Sequence, residues 1–318
     1  MANVTAILFP GQGSQETGMG RDTAESNAES MALWKKAEKI SGLPLRSIYW
    51  ESDDPALMAD TRNLQPALTV VNLSLWLELA PHVRPQAGAG HSLGEYSAYA
   101  ASGALSADAV LELVSLRGAL MADADPAGRG GMAALLKLTR EDAEAVAREA
   151  AEATGEMLIV ANCNTPAQFV LSGAKKALEA ALPLVKARKG RAMPLSVSSA
   201  FHTPLMEKAG RELAGALRKA VWNRPRFALY SNVTGAAVTD GESLCDLACR
   251  QMTSPVLWID TIAAQWADGV RTWLEAGPKG VLTRMVKPIL DPLGGTEAAE
   301  AVSVGSLEAA REITQGRA

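Results

Sequence analysis

Cysteine is scarce in this sequence, with only Cys163, Cys245 and Cys249 among 318 residues. Three thiols make no disulfide framework. Cys245 and Cys249 stand one helical turn apart, but no nearby histidine or second thiol pair completes a zinc set, so no metal is expected. Long apolar runs are missing too, and nothing approaches the roughly 20 residues that cross a bilayer. The first apolar run, around Ile7, is short and has no basic residue before it. It reads as a first strand, not a signal peptide, and the expected location is the cytoplasm. Positive charge is not in excess: 31 Lys and Arg face 35 Asp and Glu, for a net charge of -4. That balance argues against a broad nucleic-acid surface. One basic stretch, Lys186-Ala187-Arg188-Lys189-Gly190-Arg191, reads as a solvated loop. Histidine is as rare as cysteine, with only His82, His91 and His202, so candidates for a general base are few.

Hydrophobic residues make up 48% of the chain, an ordinary share, and the length suffices for one large core plus a smaller lobe. Apolar runs at 5–9, 83–89, 228–231 and 270–275 predict short strands, and helical patterns at 27–39, 65–79, 107–122 and 204–221 fall between them. Short apolar strands alternating with longer helices point to an α/β fold with a largely parallel sheet. After a Gly-, Pro- and Asp-rich stretch at 123–131, the pattern changes. It predicts strand 132–138, helix 139–153, strands 158–164 and 168–172, helix 175–189 and strand 192–197. That β-α-β-β-α-β order is ferredoxin-like. The expected architecture is an α/β-hydrolase-like large domain built from 1–125 and 199–318, with a ferredoxin-like subdomain inserted at 126–198. A cleft between the two is the natural place for a ligand.

Gly90-His91-Ser92-Leu93-Gly94 has the G-x-S-x-G form of a nucleophile elbow. A strand ends before it and a helix is predicted from 93 to 101. Two glycines leave room for a sharp turn that lifts Ser92 Oγ clear of the sheet. The helix start directs free backbone N–H groups at any negative charge that develops there. Of the histidines, His91 points away from the exposed side of the elbow, and His82 precedes the second strand, at the far end of the sheet. His202 follows the inserted lobe where the chain crosses back past the cleft mouth, and is the candidate base. The alternative is a surface histidine near a helix start.

Arg117 follows from helix geometry. One helix leaves Ser92 and ends near Gly103; a second starts near Ser106 and returns alongside it. At 1.5 Å per residue, eleven residues retrace roughly 16 Å, which brings Arg117 level with the elbow. It is either a solvated helix charge or a pocket guanidinium suited to a carboxylate. Gln12, between Gly11 and Gly13 after the first strand, reads as a tight turn whose amide or backbone N–H can reach the cleft. Its loop lacks the Gly-Lys-Ser/Thr ending of a phosphate loop and the glycine spacing of a dinucleotide site.

The ordered set of motifs resembles the malonyl-CoA:acyl carrier protein transacylases and the acyltransferase domains of polyketide synthases. The resemblance rests on Pro10-Gly11-Gln12-Gly13-Ser14-Gln15, Gly18-Met19-Gly20, Gln65-Pro66-Ala67 and Gly90-His91-Ser92-Leu93-Gly94-Glu95. It continues through Arg117, Gly131-Met132-Ala133, Asn162-Cys163-Asn164-Thr165-Pro166, Phe201-His202 and Gln251-Met252-Thr253-Ser254-Pro255-Val256, covering nearly the whole chain. It implies a ping-pong malonyl transfer from a coenzyme A thioester to an acyl carrier protein. Ser92 would be acylated, His202 would be the base, and the backbone N–H groups of Gln12 and Leu93 would form the oxyanion hole. Arg117 would pair with the malonyl carboxylate. Asn162 and a carbonyl near Gln251 would hold the site, and Phe201 fits the malonyl-selective form.

The resemblance further implies no metal or bound organic cofactor, an acidic carrier protein as transient partner, and a rim for it including Lys189, Arg191, Lys208 and Lys287; a monomer is expected. One departure is Gly277-Pro278-Lys279-Gly280, where relatives often read Gly-Pro-Gly-Lys. Service to fatty acid or polyketide synthesis stays open, and a serine hydrolase or a silent carrier-docking module remain as other classes.

Overall fold

The computed structural model describes residues 4–197 and 199–315. The expected end of the inserted lobe, at Ser198, lies outside the described residues, as do the first and last three residues of the expected large domain. The strands are β1 (Val4–Phe9), β2 (Ala87–Gly90), β3 (Gly130–Leu136), β4 (Leu158–Thr165), β5 (Gln168–Ala174), β6 (Arg191–Pro194), β7 (Ala228–Tyr230), β8 (Ala237–Val238), β9 (Val270–Ala276) and β10 (Glu300–Val304). They form two sheets. The larger runs β10-β9-β1-β2-β7-β8 and the smaller β4-β5-β3-β6.

In the larger sheet every pairing is parallel except β7 with the short β8. β1 is central, and Ala6, Ile7, Leu8 and Phe9 are fully buried. This explains its uninterrupted apolar sequence, since a parallel strand covered on both faces has no polar side. Ile7 and Phe9 pack into one core with Leu64, Leu68 and Leu75 of the helix Thr61–Leu79, while Ala6 and Leu8 face Trp258, Ile262 and Trp273. The smaller sheet is antiparallel, and the helices Arg140–Thr154 and Lys175–Ala187 pack against it, giving the ferredoxin-like order expected from the sequence.

Several boundaries move for identifiable reasons. The strand predicted at 83–89 shrinks to β2, because Pro85 has no N–H for a ladder and Val83 instead donates to Leu79 O. The helix predicted at 204–221 becomes a short 3-10 turn, Pro204–Met206, and a helix, Glu207–Leu217. Trp222 Nε1 donates to Leu217 O and closes that end. β10, which the strand pattern did not reveal, is a short edge strand whose exposed Glu300 and Ser303 interrupt its apolar character. Asn27 and Thr139 cap their helices, their side chains accepting from Glu29 N and Asp142 N.

The parallel sheet places the carboxyl ends of β1 and β2 side by side, with Phe9 in register with Gly90. A chain leaving β1 therefore turns directly against the elbow that leaves β2. Gly11 is required there: a Cβ would stand 2.3 Å from His91 O.

Candidate active site

Ser92 sits in the turn between β2 and the helix Gly94–Ser102 with φ 51, a left-handed conformation that costs a side-chain-bearing residue energy. The turn is tight because Gly90 and Gly94 have no side chains; a Cβ on Gly90 would come 1.9 Å from Gly94 C, and one on Gly94 would come 1.9 Å from Phe9 O. The strained turn is strapped from outside. Ser92 N donates to Asn232 Oδ1 at 2.6 Å, and Asn232 Nδ2 donates to Gly90 O at 2.7 Å. With its own N–H thus engaged, Ser92 leaves the N–H groups of Leu93 and Gln12, both in the cavity lining, which donate to no acceptor among the described residues.

His202 arrives from the crossover out of the small sheet, also at positive φ, 59. Its Nδ1 donates to the carbonyls of Gln251 and Ser254, both at 3.1 Å. Two carbonyl partners assign the proton to Nδ1, so Nε2 is the acceptor. Nε2 lies 2.8 Å from Ser92 Oγ. Burial, then the nearby Arg117 charge, pushes the His202 pKa down to about 3, so the ring is neutral at ordinary pH. A neutral imidazole accepting from a serine hydroxyl is the resting form of a general base.

Arg117 is 1% exposed on the helix Ala107–Ala122, which returns beside the elbow as the helix geometry required. Its Nη2 donates to Ser92 Oγ at 3.2 Å and to Gln251 Oε1 at 3.1 Å, and Nη1 donates to Gln65 Oε1 at 2.9 Å. The Tyr96 ring lies under the guanidinium, 5.6 Å from centroid to Cζ. Glu95, also buried, accepts from Asn232 N at 2.7 Å and from Gln251 Nε2. Burial lifts its pKa to about 7 against those hydrogen bonds and the Arg117 charge.

Ser92, His202 and Arg117 border a cavity of about 220 Å³ between the two sheets. Gly11, Gln12, Gly13, Ser92, Leu93 and Arg117 form its floor on the large-sheet side, and Met132, Ala134, Asn162 and Val170 contribute from the small sheet. Phe201 borders the same space. Asn162 reaches the cavity without a hydrogen bond to His202 or Gln251; its place is fixed by a backbone bridge to Val256, just beyond Ser254. His91 turns to the side, its Nε2 2.8 Å from Asn164 Oδ1, and its pKa is lowered by burial. Lys189, Arg191, Lys208 and Lys287 are exposed and outside the cavity lining. Among the described residues no group of His, Cys, Asp and Glu is arranged to hold a metal, and no helix is long and apolar enough to cross a membrane.

The sequence reading gave no role to Asn232, Gln65 or Glu95. Gln65 and Glu95 stood inside quoted motifs, so the signal was present without its chemistry. Asn232 follows β7, the third parallel strand of the larger sheet, and the rule that sites gather at such strand ends points to it.

The acyl transferase domain family matches residues 7–314. The chain is 37% identical over 308 residues to the malonyl CoA-acyl carrier protein transacylase of Haemophilus influenzae, covering 95% of this chain and 97% of the relative. An acyl carrier protein S-malonyltransferase from Vibrio cholerae superposes with a TM-score of 0.89 at 35% identity, over 97% of this chain and 99% of that one. A malonyl-transacylase solved with a type II polyketide synthase acyl-carrier protein superposes with a TM-score of 0.91 at 31% identity, over 98% and 99%. The strained Ser92 elbow, its His202 partner and the buried Arg117 thus stand on a chain that belongs to the acyl transferase domain family, among the malonyl CoA-acyl carrier protein transacylases.

Proposed function

We propose that this chain transfers a malonyl group from malonyl-CoA to the phosphopantetheine thiol of an acyl carrier protein, supplying fatty acid synthesis in the cytoplasm. The observation that carries the substrate assignment is Arg117. A buried guanidinium 3.2 Å from the nucleophile Oγ calls for a carboxylate-bearing acyl group. Its 1% exposure would make an uncharged acyl partner costly, which weighs against a lipid hydrolase.

In this reading Ser92 Oγ attacks the thioester carbonyl as its proton passes to His202 Nε2. The N–H groups of Gln12 and Leu93 receive the oxyanion, where each donor is worth about 3 kcal/mol. The oxyanion collapses, the C–S bond breaks, His202 gives the proton to the departing coenzyme A sulfur to form the free thiol, and malonyl-Ser92 remains. The carrier thiol then runs the steps backwards. Gln251 holds His202 through its carbonyl and Arg117 through its side chain. Asn162 and Phe201 shape the acyl space, and the lobe expected at 126–198 forms the second wall that limits water. The exposed Lys189, Arg191, Lys208 and Lys287 receive the carrier protein.

Incubation with malonyl-CoA, intact mass and peptide mapping test this. The malonyl adduct belongs on Ser92 and disappears in Ser92→Ala; an adduct at another residue overturns the assignment. A second reading, service to a polyketide synthase, is favoured by the likeness to the transacylase solved with such a carrier protein. The carrier that accepts malonate fastest separates the two.

A further inference from the structure

On the roles proposed for Ser92, His202 and Arg117, the base and the carboxylate-binding cation meet at the nucleophile. The guanidinium and the imidazole share a single oxygen. Arg117 Nη2 donates to Ser92 Oγ at 3.2 Å, and His202 Nε2 lies 2.8 Å from the same atom. Both side chains are almost wholly buried. When Ser92 attacks, its proton moves to His202, and an imidazolium forms across one oxygen from a fixed cation. Like charges that close in a poorly solvated site oppose each other strongly.

Among the described residues no carboxylate pairs directly with either side chain. His202 Nδ1 meets the carbonyls of Gln251 and Ser254, not a carboxylate. His91 is a second ring near it, and burial lowers its pKa, which favours the neutral form. Glu95 is a buried acid close enough to feel the Arg117 charge, but its hydrogen bonds go to Gln251 and Asn232, not to Arg117 or His202, and at a pKa of about 7 it is only partly ionised at neutral pH. The Tyr96 hydroxyl stays protonated, its pKa raised by burial to about 12. Arg117 Nε has no partner among the described residues, so the guanidinium retains capacity for an anion.

We propose that the free carboxylate of the acyl substrate is the missing counter-ion of the catalytic pair: by pairing with Arg117 it removes the charge that opposes proton transfer from Ser92 to His202, so a carboxylate-bearing acyl group activates the base that transfers it. Arg117 then discriminates in the rate of the chemical step as well as in binding. An acetyl group fits the same cavity but leaves the guanidinium unneutralised, and its attack proceeds against that charge.

The sign of the pH dependence follows. The Arg117 charge holds His202 low, so pairing raises it. The acylation rate of the malonyl-CoA complex therefore loses activity on its acid side at higher pH than that of the acetyl-CoA complex, while its plateau is higher. The experiment is single-turnover acylation of Ser92 at saturating malonyl-CoA or acetyl-CoA, in brief pH jumps from about pH 2.5 to 9 so that a limb near the His202 pKa of about 3 is covered, followed by intact mass, in the wild type and in Arg117→Gln. In the wild type the malonyl-CoA limb is expected about one pH unit or more above the acetyl-CoA limb. In Arg117→Gln the two limbs coincide, and the saturating acetylation rate rises about tenfold over the wild type, the scale of one pKa unit. Coincident limbs in the wild type overturn the proposal, and that comparison needs no variant. So does an acetylation rate in folded Arg117→Gln equal to that of the wild type, the result of a purely recognising arginine. Failure of the wild type to acquire malonate on Ser92 is a different outcome and overturns the functional reading itself.

Discussion

Asn232 holds Ser92 by the backbone: its Oδ1 accepts from Ser92 N at 2.6 Å while its Nδ2 donates to Gly90 O at 2.7 Å. One amide thus spans both sides of a turn whose central residue has φ 51. The same bond withholds the Ser92 N–H from the cavity, whereas the N–H groups of Gln12 and Leu93 beside it have no acceptor among the described residues. The strap is itself tied down, since Asn232 N donates to Glu95 and Leu257 N donates to Asn232 O. Strain at a reacting residue persists only when its surroundings over-determine it.

Asn232→Ala is therefore expected to relax the elbow. Two buried hydrogen bonds are lost and their partners left unpaired, a cost of about 2–4 kcal/mol in stability. The malonylation rate of Ser92 should fall about 10²-fold, the penalty of a misplaced nucleophile. Urea unfolding and single-turnover acylation measure the two effects. A variant that unfolds earlier yet acylates at the wild-type rate would show that the strap serves the fold alone.

Gly11→Ala tests the other side of the elbow. The new Cβ meets His91 O at 2.3 Å and Leu93 N at 3.5 Å, both backbone atoms that cannot swing aside. The loop carrying Gln12 must lift away from Leu93, which separates the two candidate oxyanion donors. Loss of one such donor costs about 10²–10³ in rate. The expected result is that loss in kcat with a smaller change in KM for malonyl-CoA, because the ground-state thioester leans little on the hole. An unchanged kcat in the folded variant would remove Gln12 from the hole.

The parts of this site that a sequence discloses are those where one residue type alone meets a geometric demand. Gly90 and Gly94 around Ser92 announce the elbow because the turn leaves no room for a Cβ. Arg117 could be placed because helix rise and a short connection fix where a returning helix passes. β1, apolar and central, and the ferredoxin-like strand order were legible for the same reason, since periodicity and burial agree there. Asn232, Gln65 and Glu95 were not assigned roles, because an amide or carboxylate in a sequence does not say which distant backbone it will bond. Asn232 meets Ser92 across 140 positions, and Arg117 meets Gln251 across 134. β10 escaped notice because an edge strand is short and exposed, and its pattern carries half the signal of a buried strand.

Lys279 accounts for the one departure from the expected motif and gives a stability prediction. It occupies φ 66, the left-handed region that favours glycine, and the neighbouring Gly280 has φ 57. Lys279 is exposed, so nothing packed compensates the backbone strain. Lys279→Gly should stabilise the chain by about 0.5–1 kcal/mol, the left-handed penalty of a side chain less the extra freedom glycine adds to the unfolded state. Chemical denaturation reads this directly. Gly280→Ala has the opposite expectation, because its Cβ would meet Ser303 Oγ at 2.7 Å. Equal stability of both variants would mean that the loop can rearrange and that neither φ is imposed by the fold.

Buried neutral histidine also sets how the fold responds to acid. His202 has its pKa lowered from 6.5 to about 3, first by burial and then by Arg117. The unfolded chain binds a proton at this ring below about pH 6.5 while the folded chain does not, so protons favour the unfolded state. The stability that His202 contributes is full above pH 6.5 and is lost progressively as the pH falls towards 3. Between pH 7.5 and 5 the loss from this ring is about 2 kcal/mol. His91, also lowered by burial, acts in the same direction. Urea unfolding at the two pH values should show the wild type weakening, and His202→Asn weakening by about 2 kcal/mol less, because its amide does not titrate. His202→Ala should in addition lose about 10²–10⁴ in acylation rate, the scale of a general base. If His202→Asn lost as much stability on acidification as the wild type, His202 would have to titrate normally in the folded chain. The burial and the Arg117 charge argued for it would then fail to hold the ring neutral.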